Sequence, residues 1–132
     1  MKEKRSEAFI DGSGKGYYGY MLDGKSRILS DYSPGTNNQN EWMGLYLLLL
    51  DVPDKMKINV FSDSQLVVNQ YNGKWIINSP YLQTCFSMCK VLVKLKEIDM
   101  VLTWVPRERN EFGKVLEKEL RRLKRLAQEG NY

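Results

Sequence analysis

The sequence contains no histidine, which removes several kinds of chemistry at once. Histidine-dependent catalytic triads, histidine-ligated zinc and a histidine general base are all excluded. Any catalysis has to use carboxylates, lysine, arginine, tyrosine, serine or a metal ion held by oxygen ligands. The two cysteines, Cys85 and Cys89, lie one helical turn apart, where disulfide geometry is poor, so we expect two buried thiols.

Long hydrophobic runs are also missing. The longest lies around Leu47–Leu50, whereas a membrane-spanning helix needs about 20 apolar residues. The basic N-terminus is not followed by the apolar stretch of a secretory signal peptide. The sequence therefore favours a cytoplasmic location.

The chain has 132 residues, enough for a single domain covering 1–132 with its own core. Its net charge is +4, and the segment 114–125 carries six basic and two acidic residues, a difference of four that equals the whole excess. A polyanionic partner and a solvated helix face explain this bias equally well.

The hydrophobic pattern predicts the element order β-β-β-α-β-α-α-β-α. Strands are expected at 8–10, 17–21, 27–30, 57–61 and 99–105, and helices at 38–52, 65–71, 79–95 and 110–128. Asp23-Gly24 is a strong hairpin signal between the second and third strands, and Ser33-Pro34-Gly35 closes the third. Three strands in a meander followed by alternating helices and strands indicate an α/β fold, with a five-stranded mixed sheet flanked by helices.

Three acidic residues stand out by position. Asp11 and Asp63 each end a predicted strand, and Glu41 lies early on the helix between those strands. If the two strands are neighbours, both aspartates lie at the open edge of the sheet where ligands usually bind. Clustered carboxylates are tolerated when a divalent cation binds between them, and oxygen ligands select Mg²⁺ or Mn²⁺. Taken singly, each acid is better explained as a turn or helix-end residue, but that explanation is much weaker for the three together with their flanking residues.

The residues around these acids carry a family resemblance. The segments are Asp11-Gly12-Ser13, Thr36-Asn37-Asn38 with Glu41 following, Ser62-Asp63-Ser64-Gln65, and Trp104-Val105-Pro106-Arg107-Glu108-Arg109-Asn110-Glu111. Together they resemble type 1 ribonuclease H over about Ala8 to Leu120. The resemblance implies the ribonuclease H fold and cleavage of the RNA strand of RNA–DNA hybrids with two Mg²⁺ ions, Mn²⁺ being the alternative.

The resemblance also implies residue roles. Asp11 and Asp63 match the metal-bridging aspartates, and Glu41 matches the helix glutamate that completes the site. Contacts to the hybrid's sugars and bases are implied for Gly12, Ser13, Asn37, Asn38 and Gln65, and a DNA phosphate contact for Thr36. In such a site, the 2′-hydroxyl identifies the RNA strand.

The sequence departs from the family at Lys114, which stands where a fourth metal-site aspartate is usual. Three carboxylates and a lysine carry −2 instead of −4, which matches one Mg²⁺ better than two. Three alternatives follow. Lys114 acts as a fixed catalytic cation, a neighbouring acid (Glu111 or Glu117) substitutes as ligand, or the site is degraded.

Two further departures concern substrate contacts. The loop before the last helix, where some family members have a histidine, offers Arg107 or Arg109 for a phosphate, although a solvated loop explains these arginines somewhat better. Some family members carry a basic substrate-binding segment between two middle helices, and residues 72–79 are too short to form it. Substrate binding is therefore expected to depend on Lys15, Lys74, Trp75 and the basic C-terminal helix, although Trp75 fits a core position better.

Three hypotheses follow for the protein as a whole. The first is a stand-alone, monomeric endoribonuclease that binds RNA–DNA hybrids and no membrane. The second is a nucleic-acid-binding module that kept the fold and lost activity. The third is the ribonuclease H domain of a reverse transcriptase.

Overall fold

A computed structural model describes residues 4–30 and 35–130. Its elements are β1 (Ser6–Gly12), β2 (Tyr17–Leu22), β3 (Lys25–Ser30), α1 (Asn37–Asp51), β4 (Lys57–Ser62), α2 (Gln65–Tyr71), α3 (Pro80–Leu95), β5 (Asp99–Trp104) and α4 (Glu111–Glu129), with a short 3₁₀ turn at Arg107–Arg109 before α4. The predicted order is confirmed, with ends that differ by up to two residues. Of the turn predicted at 33–35, Ser33 and Pro34 lie outside the described residues.

The five strands form one mixed sheet in the order β3-β2-β1-β4-β5. The first three strands pair antiparallel as a meander, and β1–β4 and β4–β5 pair parallel. The hairpin at Asp23-Gly24 turns with positive φ at both residues, 48° and 85°, which is the geometry that this dipeptide supports. The predicted fold class is therefore confirmed.

Side chains alternate between the two faces of β1 and β4, as the strand period of two requires. Ala8, Ile10, Ile58 and Val60 are fully buried in the main core, which also takes the inner faces of α1, α2 and α3. On the opposite face Phe9 and Phe61 contact each other, with ring centroids 5.3 Å apart. The helix α4 packs against β1, β2 and β3, so its apolar stripe is separate from the main core.

Each helix begins at a residue whose side chain caps it. Thr36 accepts from the backbone N–H of Gln39, whose side chain accepts from Thr36 in return, and Ser64, Ser79 and Asn110 cap the later helices. Both cysteines are free and buried, as expected. None of the described helices combines the length and the apolar character needed to cross a bilayer.

Candidate active site

The carboxylates of Asp11 and Asp63 lie side by side at the carboxyl ends of two neighbouring strands. The β1–β4 register pairs Phe9 with Phe61, and two further residues along each strand bring Asp11 level with Asp63. Both side chains are nearly buried, at 3% and 7% exposure. The expectation that their strands are neighbours is confirmed.

Glu41 reaches the same edge from the first turns of α1. The helix passes so close to Gly12 that a Cβ there would lie 2.2 Å from the carbonyl carbon of Asn40 and 2.5 Å from the Glu41 nitrogen. Glycine at this position therefore permits the contact between β1 and α1. The carboxylate of Glu41 is hydrogen-bonded to the side chain of Ser64, the residue that caps α2.

The three acids affect one another electrostatically. Burial and the negative charge of Asp63 raise the pKa of Asp11 to about 6, against the lowering effect of the hydrogen bond from the Gly12 N–H. Burial likewise raises the pKa of Glu41 to about 7, with contributions from both aspartates opposing its bond to Ser64. Cations at this edge would therefore be bound favourably.

Arg107 forms ion pairs with the two aspartates. Its Nη1 lies 3.0 Å from Oδ2 of Asp63 and 3.9 Å from Oδ2 of Asp11. Of the two arginines suggested by the sequence, Arg107 lies at the site. Arg109 instead lines a groove with Glu7, Phe9 and Phe61.

Asn110 joins the strands, the acids and the last helix. Its Nδ2 donates to the carbonyl oxygen of Ile10 at 2.9 Å and to Oδ1 of Asp63 at 3.3 Å, while its Oδ1 accepts from the N–H of Gly113 at 2.9 Å. The side chain is fully buried. The sequence indicated Asn110 as a helix cap and as part of a segment that carries the family resemblance, and its contact with Asp63 was missed because it depends on the fold.

Asn40 is a second polar residue that sequence reasoning missed. It is buried, and its Nδ2 donates to the carbonyl oxygen of Ser13 and, at 3.4 Å, to that of Gly35. It therefore connects the loop after β1 to the start of α1. The sequence signal that could have identified Asn40 is its spacing of seven and eight residues from Leu47 and Leu48, which places it on the apolar side of the helix.

Lys114 lies one residue beyond Gly113, which packs directly over Asp11. A Cβ on Gly113 would be 3.2 Å from Oδ2 of Asp11. The Lys114 side chain is exposed and forms neither an ion pair nor a hydrogen bond with any residue in 4–30 or 35–130. A direct contact of Lys114 with the acids, which the sequence left open, is therefore not seen among those residues.

The two acids proposed as substitutes for the missing aspartate differ in position. Glu111 lines the same groove as Glu7, Phe9 and Arg109. The charge of Glu117 acts on both Asp11 and Arg107. Glu117 follows Gly113 by one helical turn and is therefore the acid on the site side of α4.

The residues expected to bind substrate lie at the ends of elements around this edge. Gly12 ends β1 and Ser13 follows it, Thr36, Asn37 and Asn38 are exposed at the start of α1, and Gln65 is exposed at the start of α2. Trp75 is 47% exposed, so the prediction that it lies in the core is wrong. The short segment between α2 and α3 leaves its ring partly open to solvent.

A divalent cation fits the chemistry of the donors at this edge. The available oxygens come from three carboxylates. Burial and mutual repulsion disfavour the charged forms of these carboxylates, and a bound cation would stabilise the charged forms. Within the described ranges no three acidic or cysteine side chains are already arranged to hold a metal ion. In this arrangement Arg107 contacts the two aspartates, so it would have to share their oxygens with an incoming ion.

A family model for RNase H matches residues 3–120. Because this match covers most of the chain, the protein belongs to the RNase H family and is a ribonuclease H enzyme. The family depends in general on divalent metal ions.

Solved structures agree with this assignment. LC11-RNase H1, isolated from compost by a metagenomic approach, is similar at 25% identity with a TM-score of 0.73, over 86% of this chain and 93% of that one. RNase H1 from the halophilic archaeon Halobacterium salinarum NRC-1 shows 29% identity and a TM-score of 0.64, over 82% and 90% of the two chains. LC11-RNase H1 in complex with an RNA/DNA hybrid shows 25% identity and a TM-score of 0.67, over 81% and 89%.

Proposed function

We propose that this enzyme hydrolyses the RNA strand of RNA–DNA hybrids with Mg²⁺, Mn²⁺ being the alternative ion. The observation that carries the proposal is the convergence of Asp11, Glu41 and Asp63 at one sheet edge in a chain of the RNase H family. The similar LC11 enzyme binds an RNA/DNA hybrid, which supports the same substrate here.

In this proposal Asp11, Glu41 and Asp63 hold the metal. A divalent ion bound there would activate a water molecule and stabilise the leaving 3′ oxygen of the phosphodiester. The protein's own part is to fix the carboxylates: Gly12 donates its N–H to Asp11, Ser64 bonds Glu41, and Asn110 donates to Asp63. These contacts orient metal ligands in the way that outer hydrogen bonds commonly do.

The hybrid would bind across the same edge. Gly12, Ser13, Asn37, Asn38 and Gln65 are proposed to contact sugars and bases, and Thr36 a DNA phosphate. These roles are supported by the location of the residues beside the acids, at the end of β1 and at the starts of α1 and α2. A monomeric state and a cytoplasmic location stay predictions from the sequence.

The test is cleavage of an end-labelled RNA–DNA hybrid during Mg²⁺ and Mn²⁺ titrations. We expect the wild type to cut the RNA strand and Asp63→Asn to lose about 100-fold or more of the rate, because a metal ligand contributes several kcal/mol to the transition state. Asp54→Asn is the matched control, since Asp54 is exposed in the turn before β4. Absence of wild-type cleavage with either ion would contradict the proposal.

Lys114 favours a second candidate, a hybrid-binding protein with little or no cleavage. It removes one of the four carboxylates that the family resemblance leads us to expect. Hybrid binding by the wild type without cleavage, together with cleavage by Lys114→Asp, would support this candidate over the first.

A further inference from the structure

Four exposed cations lie in a row along the outer face of α4. They form an outer stripe of Lys114, Lys118, Arg121 and Arg125. Intervals of four, three and four residues keep these side chains on one face of a helix, and that face is opposite to the residues that α4 buries against the sheet. At 1.5 Å of rise per residue, the stripe is about 16 Å long.

The acids of α4 do not neutralise the outer stripe. Glu119 accepts hydrogen bonds from Arg122, a cation outside the stripe. Glu111 lines the groove beside Phe9, and Glu117 lies on the site side of the helix. Within residues 4–30 and 35–130, no stripe side chain forms an ion pair or a hydrogen bond. The four charges are therefore available to a partner.

Two contacts connect this helix to the edge that carries the acids. Lys114 directly follows Gly113, where a Cβ would lie 3.2 Å from Oδ2 of Asp11. Further along α4, Lys124 lines a groove together with Lys15 of the loop after β1. The stripe consequently begins beside the candidate active site and extends away from it.

The form of the outer stripe indicates an extended anion. Its cations are spread over about 16 Å instead of converging on one point, so a single phosphate could contact only one or two of them. A nucleic-acid strand carries a phosphate about every 3.4 Å of its axis, which places about five beside the stripe.

The neighbouring positions on this face argue against a membrane surface as the partner. Glu117, Arg122 and Gln128 lie between or beside the stripe residues, and all three are polar and exposed. A helix that lies on a membrane needs apolar side chains next to its cations, whereas a nucleic-acid backbone requires only the charges.

We propose that the outer stripe of α4 binds backbone phosphates of the RNA–DNA hybrid, in the part of the duplex that extends beyond the acids. These contacts are independent of base sequence and weaken as salt is added, because they act through charge and counterion release. They increase affinity and take no part in the chemical step. This inference rests on the proposed function, since it takes the duplex to be the hybrid held at the acids.

The test is the salt dependence of hybrid binding. Fluorescence anisotropy of an end-labelled hybrid, with a chelator present to prevent cleavage, measures Kd over a series of KCl concentrations. The stripe variant carries Lys118→Gln, Arg121→Gln and Arg125→Gln, and leaves Lys114 unchanged. Its slope of log Kd against log salt should be smaller than that of the wild type by about 2 to 3, because each lost phosphate contact removes about 0.7–0.9.

A matched variant removes the same charge elsewhere. Lys4, Lys25 and Lys94 are exposed, and they lie before β1, at the start of β3 and near the end of α3. These positions are at the edge of the sheet opposite to the acids. Changing all three to glutamine should leave the slope close to the wild-type value, although the net charge falls as in the stripe variant.

Two neighbouring arginines give a finer comparison. Arg121 belongs to the stripe, whereas Arg122 is paired with Glu119. Arg121→Gln should therefore lower the salt slope by about 1 and Arg122→Gln by much less. Arg121→Lys keeps the charge and should keep the slope.

Cleavage provides a second readout. In the stripe variant the KM for hybrid should rise about 10- to 100-fold at about 0.15 M salt, while kcat at saturating hybrid stays at the wild-type value. Thermal unfolding of each variant shows that the fold is retained.

Three results would overturn the inference. The first is a wild-type salt slope in the stripe variant with native unfolding. The second is an equal loss of slope in the matched variant, which would mean that only net charge matters. The third is a wild-type slope for hybrid with lost binding of poly-glutamate, which would assign the stripe to an acidic protein. The proposed function fails separately, if the wild type cleaves no hybrid with Mg²⁺ or Mn²⁺.

Discussion

Gly12 and Glu41 are in backbone contact, which joins the end of β1 to the start of α1. A Cβ on Gly12 would lie 2.5 Å from the Glu41 nitrogen, nearer than van der Waals contact permits. The position of the Glu41 carboxylate relative to Asp11 therefore depends on the absence of a side chain at residue 12.

The first prediction concerns this contact. Gly12→Ala should lower the free energy of unfolding by about 3 kcal/mol, because the new methyl group meets backbone that can yield only by moving α1. Chemical denaturation measures the change. Gly14→Ala is the control, since its Cβ would meet mainly the Asn37 side chain, at 2.8 Å, which can rotate away. Equal losses in the two variants would contradict the prediction.

The second prediction concerns pH and the metal-free protein. The pKa of Asp11 rises from 3.8 to about 6 and that of Glu41 from 4.5 to about 7 in the native state. The native state therefore binds more protons than the unfolded state between about pH 4 and 7, and the free energy of unfolding falls as pH rises through that range. Asp11→Asn should remove part of this loss and stabilise the protein at pH 8 by roughly 2–3 kcal/mol.

Thermal unfolding with a chelator present, measured from pH 4 to pH 8, checks this expectation. Asp99→Asn is a suitable control, because a hydrogen bond from Arg5 lowers the pKa of Asp99. That variant should not be more stable than the wild type at pH 8. A metal-free wild type that gains stability as pH rises from 4 to 7 would show that the burial effect is absent.

The third prediction concerns Asn110. Asn110→Ala should cost about 3 kcal/mol, because it removes a helix cap and leaves the buried carbonyl oxygen of Ile10 without its donor. Asn110→Asp keeps the acceptor for the Gly113 N–H but adds a negative charge beside Asp63. At pH 7 this variant should therefore lose at least as much free energy of unfolding as Asn110→Ala. Urea denaturation of both variants measures these changes. An Asn110→Asp variant as stable as the wild type would contradict the prediction.

The fourth prediction concerns Lys114. Lys114→Asp replaces a cation by an anion on the turn that packs over Asp11, so we expect Ca²⁺ affinity to increase about tenfold. Lys118→Asp makes the same change of charge one turn further along the exposed face of α4 and should have a much smaller effect. Calorimetric titration measures the Ca²⁺ affinity of both variants. Similar affinities in Lys114→Asp and Lys118→Asp would show that residue 114 lies too far from the metal site to affect it.

Much of the fold could be predicted because local signals agreed with each other. Alternating residues marked β4, the three-and-four spacing of Trp42, Leu45 and Leu49 marked α1, and capping residues marked where the helices begin. The neighbouring positions of Asp11 and Asp63 were expected on the condition that their strands are adjacent, and the sheet order, which places β1 beside β4, meets that condition.

Other features of the site depend on distances that no local pattern contains. Arg107 reaches the acids only because a 3₁₀ turn follows β5 and precedes the Asn110 cap. The sequence offered Arg107 and Arg109 equally, and it could not say that the Lys114 side chain would be exposed with no partner among residues 4–30 and 35–130. Trp75 was expected in the core, but the short connection between α2 and α3 leaves it half exposed.

The hydrogen bond from Asn110 to Ile10 spans 100 residues of a chain of 132, so it closes most of the chain into one loop. Closing such a loop costs entropy that only the completed core repays. The candidate active site is consequently a property of the finished fold, and no fragment lacking either β1 or the start of α4 should retain it. An ion that bound there would bind the native state alone, and each tenfold excess over its dissociation constant would add about 1.4 kcal/mol of global stability.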